Sequence, residues 1–348
     1  MNEKKVEEKP ITSVKRVDNI QILRGIAALC IVMCHISFVD AGQFGVDIFF
    51  CISGFLVMYT TNKKGVSNKG FLLKKLLKIL PLYYLLTLIT YVLASLKPEL
   101  FYTTEAVVIN LIKSLIFIPY EVNGVIMPVL PIGWFINQTI ELYIIFYLAM
   151  KINFKYRGVI CAIIILILVG VGLVFDISFI PLKFWTNSVL LEFIFGILVF
   201  YFYTWLTKKE QVAANHSLLI NILGLGMMSV LIGFMFWIDF HNFRINRVFS
   251  FGIPAFLLLV IFTCLFASLN LKNKLFKFFY FIGNISFSLY LTHYFVIKFY
   301  ERIIFPLDNV SFKSCLFANV AVLFAIVIAN ITYELFEKRL GRLISKKL

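Results

Sequence analysis

A cation and an imidazole stand eleven residues apart on one apolar run of the sequence. Arg24 and His35 bound the stretch RGIAALCIVMCH, with no charged residue between them. Eleven residues make about three turns of an α-helix and rise roughly 16 Å, so both side chains lie on one helix face at two depths. An arginine can hold phosphate oxygens, and a histidine can take a proton from a hydroxyl. The alternative without chemistry is that Arg24 reaches the lipid headgroups and His35 hydrogen-bonds a neighbouring helix.

A carboxylate opens the next apolar run, GVDIFFCISGF, only a short loop after His35. We expect this residue, Asp47, to be a neighbour of His35. A carboxylate beside an imidazole fixes its tautomer and raises its basicity, as a general base requires. The alternative is that Asp47 caps a helix N-terminus. Ser53, in the same run, has a hydroxyl that can bond across helices.

The composition is typical of a membrane protein. Of 348 residues, 61% are hydrophobic, and the mean hydropathy is +0.93, more apolar surface than a soluble fold can bury. The net charge of +15 comes from lysines and arginines gathered in short loops and at the termini. Without an aromatic-basic stripe or a recognition motif, we expect no nucleic-acid partner. Six cysteines at no metal-ligand spacing predict neither a metal site nor a disulfide framework.

The apolar windows predict an all-α polytopic membrane protein with about ten transmembrane helices. They lie at 20–39, 45–61, 77–95, 131–150, 158–175, 186–206, 217–238, 249–269, 278–300 and 313–335. Another apolar segment, 105–119, is only about 15 residues long, where a span needs about 20. We expect it to form a re-entrant or interfacial helix.

The basic segments fix the predicted orientation. With ten spans, all six segments fall on one side, which the positive-inside rule makes the cytoplasm, so both termini are cytoplasmic. These segments are the N-terminal tail, 62–78, 151–157, 207–211, 270–277 and 337–348. Arg244 and Arg247, in an outer loop, are the exception. The predicted division is a cytoplasmic tail (1–19), a transmembrane domain (20–336) and a basic cytoplasmic tail (337–348).

Three further ionisable side chains lie inside predicted spans. A charge at the bilayer centre costs at least ~2.5–3.5 kcal/mol, so Glu141 and Glu192 each need a partner or a proton. Arg24 is one candidate partner for Glu141. For His293 we expect a structural hydrogen bond.

These motifs resemble those of acyltransferase family 3, integral membrane O-acyltransferases that modify exopolysaccharides and O-antigens. Arg24 and His35 match the family's arginine, ten residues and histidine, and Gly45 to Phe55 match its G-V-D-x-F-F-x-x-S-G-F signature. Four later stretches also resemble family segments: FLLKKLLKILPLYY, GWFINQTIELYIIFYL with Trp134, IGNISFSLYLTHYFV and YELFEKRLGR. Here lysines replace the usual arginines of the first stretch, and Arg339 replaces a proline in the last.

The resemblance implies that an acyl group, usually acetyl, moves from cytoplasmic acetyl-CoA to a sugar hydroxyl at the outer face. His35 is then the general base or a transient acyl carrier, two alternatives that the sequence leaves open. Arg24 binds the CoA pyrophosphate or the pantetheine amides. The cytoplasmic lysines either bind nucleotide phosphates or are plain positive-inside anchors; they are Lys74, Lys75 and Lys78. An extended pantetheine arm reaches about 15–20 Å, comparable with the rise from Arg24 to His35.

The implied setting is the cytoplasmic (inner) membrane of a bacterium. The expected partners are an acyl-CoA donor, a polysaccharide or its lipid-linked precursor, and the bilayer, with the oligomeric state open. Five residues are expected as substrate-binding or structural polar groups: Glu141, Trp134, Glu192, His293 and Ser53. One alternative is a transporter or flippase for an envelope glycan or small solute, which would show inverted repeats. Another is a structural subunit of an envelope complex, which would have little need of the Arg24, His35 and Asp47 set.

Overall fold

The computed structural model describes residues 18–62, 70–101, 103–208, 218–243, 246–265, 273–307 and 310–347. The predicted N-terminal tail up to residue 17, Arg244 and parts of the segments 62–78, 207–211 and 270–277 lie outside these ranges. Within them the fold is a helical bundle with one small hairpin, so the all-α prediction is confirmed apart from two strands of two residues each.

Fourteen α-helices form the described part of the bundle. They are α1 (Asp18–Cys34), α2 (Gly45–Thr61), α3 (Phe71–Leu96), α4 (Val108–Leu115), α5 (Trp134–Ile152), α6 (Arg157–Val174), α7 (Ile180–Trp185), α8 (Leu191–Lys208), α9 (Leu218–Phe240), α10 (Ile253–Val260), α11 (Lys274–Asn284), α12 (Ser286–Ile303), α13 (Phe312–Thr332) and α14 (Lys338–Lys347). Short 3₁₀ turns (Pro98–Leu100, Pro131–Gly133, Ser188–Leu190) and π-helical turns (Val248–Gly252, Ile261–Leu265, Tyr333–Glu337) connect or extend them. Strands β1 (Glu121–Val122) and β2 (Val125–Ile126) pair antiparallel.

Six helical segments of the described residues are long and apolar enough to cross a membrane, or seven when α11 and α12 count as one bent span. The helices α1 and α2 have 17 residues each, which is about 26 Å and slightly less than a hydrocarbon core of ~30 Å. The prediction of ten spans and the orientation of the termini therefore stay predictions.

The segment 105–119 contains α4, a helix of eight residues. Its length of about 12 Å is too short for a crossing. Its apolar side chains Val108, Ile109 and Ile112 are exposed, whereas Ser114 is buried and lies beside α3, where Tyr83 donates a hydrogen bond to its carbonyl oxygen. Apolar groups outside and polar groups inside are what a lipid-facing helix requires.

The predicted span 278–300 is not one continuous helix in the structure, because the chain bends by 80° between α11 and α12. Here α11 lies against α1, so closely that a Cβ on Gly283 would come within 1.8 Å of the Gln21 carbonyl oxygen. Helix α8 packs equally closely on α2, where Gly196 of α8 lies against the carbonyl oxygen of Cys51 in α2. The close contacts hold α1 and α2, which carry the predicted site, in the centre of the bundle.

The two ends of the bundle are named here after the site residue that lies at each. At the first, the Arg24 end, Arg24 Nη2 donates to Ser286 Oγ (2.8 Å) at the start of α12. At the second, the His35 end, Asp239 Oδ2 near the end of α9 accepts from Gly42 N (2.8 Å) in the loop after α1. The basic residues Lys75 and Lys78 lie with Arg24, as the charge pattern predicts.

Candidate active site

A cavity of about 160 Å³ lies at the Arg24 end. Three cations line it, Arg24 from α1 with Lys75 and Lys78 from the first turns of α3, together with the hydroxyls of Ser286 and Thr139. Thr139 Oγ1 has no hydrogen-bond partner among the described residues. This space, hereafter the inner cavity, combines positive charge with free hydroxyl capacity.

A cavity of about 370 Å³ lies at the His35 end. His35, the residue directly after α1, lines this outer cavity with Trp134 and Arg247. Asp40 and Gln43 from the loop between α1 and α2 lie at its border. Arg24 and His35 thus do open into two spaces at opposite ends of one helix.

One side chain, Tyr290, lines both cavities. Its hydroxyl donates to the Ile132 carbonyl oxygen, and its ring meets the Phe135 ring edge-on at 5.1 Å. Ile132 lines the outer cavity and Phe135 the inner one. The space around Arg24 and the space around His35 therefore adjoin each other at Tyr290.

The neighbour of Asp47 differs from our expectation. Its two oxygens accept from Arg247 Nε (2.9 Å) and Arg247 Nη2 (2.8 Å), the bidentate geometry that suits a guanidinium. The Asp47 side chain is fully buried, and the N-cap position of α2, Phe44, has no side-chain capping bond. Asp47 is thus engaged by an arginine rather than by an imidazole or a helix terminus.

Arg247 itself is held between that carboxylate and an aromatic face. Its guanidinium carbon lies 5.7 Å from the Trp134 ring centre, which permits a cation–π contact. Burial alone lowers the pKa of Arg247, but the facing Asp47 carboxylate outweighs it, so the pKa ends above its ordinary value. The arginine that breaks the predicted charge pattern is therefore a permanent cation in the wall of the outer cavity.

The rings beside His35 belong to α12. His293 lies 5.0 Å away between ring centres, and Tyr294 meets His35 edge-on at 5.3 Å. His293 Nδ1 lies 2.9 Å from the Leu289 carbonyl oxygen, and a carbonyl only accepts, so Nδ1 carries the hydrogen. Its Nε2 lone pair is buried and has no partner within the described part of the chain. The structural hydrogen bond expected of His293 is therefore present. Its second ring nitrogen, Nε2, is a hydrogen-bond acceptor whose ring lies beside His35.

Two carboxylates clamp the loop that carries His35. Asp239 on α9 accepts from the backbone N–H of Gly42 and of Gln43, while Glu301 on α12 accepts from Ser37 N at 2.8 Å. Buried backbone donors need such acceptors. The loop is thereby held between two helices that are far from α1 in sequence.

The remaining predicted residues lie around this centre. Glu141 accepts from Gln138 Nε2 and not from Arg24. The buried Glu192 lies beside the Asp47 carboxylate, and its oxygens receive no hydrogen bond from a donor group among the residues described. Ser53 lines the inner cavity, and Lys74 is exposed outside it.

Sequence reasoning missed Arg247, Tyr290 and Asp239. Arg247 had a signal, because a cation in a predicted outer loop violates the charge rule and calls for a buried anion. Tyr290 and Asp239 had none, since a tyrosine in an apolar run and an acid at a helix end are common.

A family model described as an acyltransferase domain matches residues 17–334, which include α1 to α13 and both cavities. The chain belongs to acyltransferase family 3. Family membership and the six apolar spans together make it a multi-pass membrane protein.

Two curated proteins are similar in sequence to this acyltransferase family 3 chain. The exopolysaccharide production protein ExoZ of Rhizobium meliloti (strain 1021) is 32% identical over 164 residues, covering 45% of this chain and 50% of that protein. The O-acetyltransferase OatA of Staphylococcus aureus (strain NCTC 8325 / PS 47) is 26% identical over 303 residues, covering 80% of this chain and 50% of that protein. The chain thus spans about half the length of the curated relatives it matches. No solved structure matches it.

We predict that Arg247→Met destabilises the protein by about 3 kcal/mol, because it leaves the charge of the fully buried Asp47 unpaired. Asp47→Asn should destabilise the protein less, because the side chain of Arg247 is 27% exposed. Unfolding by denaturant in detergent micelles measures this difference. The double variant should lose clearly less than the sum of the two single losses. If each single variant lowers the free energy of unfolding by less than about 0.5 kcal/mol, the ion pair does not stabilise the fold.

Proposed function

We propose that this protein is an O-acyltransferase that moves an acyl group, with acetyl favoured, from cytoplasmic acyl-CoA to a hydroxyl of a cell-surface polysaccharide or its lipid-linked precursor. The observation that carries the proposal is the pair of cavities joined at Tyr290, one lined by three cations and the other by His35. The family and the names of the two relatives agree with this chemistry. The proposed location is the inner membrane of a bacterium, with the Arg24 end in the cytoplasm by the positive-inside rule.

The inner cavity suits the donor. CoA carries several phosphate charges, and Arg24, Lys75 and Lys78 lie where these charges would enter. The unpartnered Thr139 hydroxyl and the Ser286 hydroxyl, which accepts from Arg24, line the same cavity and suit the pantetheine amides. An extended arm of about 15–20 Å matches the roughly 16 Å between Arg24 and His35 along the chain axis. The thioester would then meet the outer cavity beside Tyr290.

His35 is proposed to act on the acceptor. As general base it takes the hydroxyl proton while the hydroxyl oxygen attacks the thioester carbonyl; the C–O bond forms, the C–S bond breaks, and the CoA thiolate recovers the proton. As acyl carrier, its ring nitrogen attacks the thioester carbonyl; the C–N bond forms, the C–S bond breaks, and the CoA thiolate leaves with the ring proton. The acceptor hydroxyl then attacks the acyl-imidazole; the C–O bond forms, the C–N bond breaks, and the hydroxyl proton returns to the ring nitrogen. In either case His293 is the adjacent acceptor, and Asp47 acts indirectly by fixing Arg247. The Arg247 cation faces the space where the oxyanion of the tetrahedral intermediate would develop.

We expect His35→Ala and His35→Gln to lower acetyl transfer by about 10²–10⁴-fold, the usual contribution of a general base. Transfer of label from radiolabelled acetyl-CoA to a soluble glycan fragment, with purified protein at equal amounts, measures it. The matched control is His241→Ala, an exposed histidine at the same end of the bundle. If the His35 variants transfer label as fast as the His241 control, the assigned role is wrong.

A second prediction concerns the donor. Replacing Lys75 by Gln should raise the KM for acetyl-CoA about 10-fold with little change in kcat, because a charge-assisted contact contributes roughly 1.5–3 kcal/mol. S-acetyl pantetheine, which lacks the nucleotide, should show a much smaller change in KM. Lys151→Gln, an exposed lysine at the end of α5, is the control. Equal changes in KM for both donors would contradict phosphate binding at the inner cavity.

A further inference from the structure

The side chain that sets the tautomer of His35 is not the carboxylate that the sequence predicts. Asp47 is bonded to Arg247 through both of its oxygens. A neutral imidazole carries a hydrogen on one ring nitrogen and a lone pair on the other, and its hydrogen-bond partners decide which nitrogen is which. The His35 ring has no hydrogen-bond partner among the residues that the structure describes. A ring that presents its lone pair to a substrate therefore needs another partner for its N–H.

The other carboxylates near His35 do not bind its ring. Asp239 and Glu301 accept from backbone N–H groups of the loop that follows α1. Asp40 is exposed at the border of the outer cavity, and within the described ranges it forms no hydrogen bond with His35. The ring closest to His35 is instead that of His293 in α12, with the two ring centres 5.0 Å apart.

The buried Nε2 atom of His293 is the observation that identifies the partner. Nδ1 of the same ring lies 2.9 Å from the Leu289 carbonyl oxygen, one turn earlier in α12, and it carries the hydrogen because a carbonyl only accepts. Nε2 is consequently an acceptor. The side chain of His293 is 0% exposed, and Nε2 has no hydrogen-bond partner in the part of the chain described. A buried acceptor without a donor is unfavourable, so this atom calls for an N–H or O–H group.

The distance between the two rings suits a hydrogen bond between them. Two imidazoles joined by an N–H···N bond of about 3 Å have ring centres roughly 5 Å apart. The rings of His35 and His293 are tilted by 38° to each other, and closing the bond requires a rotation of the His35 ring about χ2, a soft torsion in histidine. The His293 ring is held in place by its bond to Leu289, so His35 is the ring that turns.

We infer that His293 is a positioning residue for His35. Nε2 of His293 accepts the N–H of His35, so the other His35 nitrogen presents its lone pair to the outer cavity. In both alternatives for the reaction, this nitrogen is the atom that acts on the substrate. When His35 acts as general base, its N–H remains bonded to His293 while the hydroxyl proton is held on the cavity side and then passes to the CoA thiolate. The effect on transfer rests on the proposed function, whereas the hydrogen bond between the rings does not.

The first test compares two variants of His293 in acetyl transfer. His293→Leu is close to histidine in volume and removes the acceptor; we expect kcat to fall about 10–100-fold, the usual cost of losing the group that orients a histidine, with both KM values within about 2-fold of the wild type. His293→Gln places an amide oxygen where Nε2 was, and it should restore kcat to within about 5-fold of the wild type.

The matched control is Thr292→Val in the same helix. Thr292 is buried and donates to the Ser288 carbonyl oxygen one turn earlier, so its replacement also removes one polar group bonded within α12. We expect this variant to keep the wild-type kcat. Equal losses of kcat in His293→Leu and His293→Gln, or a loss that appears in KM alone, would overturn the inference.

The second test observes the tautomer of His35 without any transfer. The full chain, with its four histidines labelled with ¹⁵N, is measured by NMR in lipid bilayers at a pH where both rings are neutral, and the His35 signals are identified by their loss in His35→Gln. We expect one nitrogen of His35 with a hydrogen and one without, and a coupling across the bond to His293 Nε2. In His293→Leu the two nitrogens should give averaged signals, because the tautomers then exchange.

Averaged His35 signals in the wild type, or a single tautomer that persists in His293→Leu, would show that His293 does not position His35. A fixed tautomer in a wild-type protein that transfers no acetyl group would contradict the proposed function and would still support the bond between the rings.

Discussion

The ion pair between Asp47 and Arg247 is the interaction on which the outer half of the site depends. It joins the first turn of α2 to a residue 200 positions later and places a guanidinium above Trp134 at the start of α5. A charge is unfavourable against lipid chains, and the Asp47 carboxylate is fully buried. Pairing them fixes three segments around one cavity and leaves a cation in its wall.

Helix α1 sets the distance between Arg24 and His35. Its apolar residues pack against α2, α11 and α12. Arg24 within this helix and His35 directly after it open into separate cavities that share Tyr290. The inner cavity is positive and smaller, while the outer one is larger and is lined by the imidazole of His35. Under the proposed function, the long anionic donor would occupy the first cavity and the polar acceptor the second.

Much of this follows from the sequence because hydropathy and spacing are local. The helix predicted at 45–61 has those bounds, and Arg24 and His35, predicted at two depths of the bilayer, each line a cavity. The partner of Asp47 could not be found locally, because Arg247 is brought to it only by the packing of the helices between. The bend after Asn284 could not be predicted for the same reason. The apolar run continues through the bend, and α11 turns there because it packs against α1. Rings such as Tyr290 and Tyr294 gain their places from tertiary packing alone.

The central claim is that the donor and the acceptor are served from opposite ends of the bundle. Purified protein in sealed vesicles tests it directly, with radiolabelled acetyl-CoA and a membrane-impermeant glycan acceptor placed on the same side or on opposite sides. Labelled glycan should form when the two substrates are separated by the bilayer and stay at background when they share one side. Product formed only when both substrates are on the same side would contradict the account.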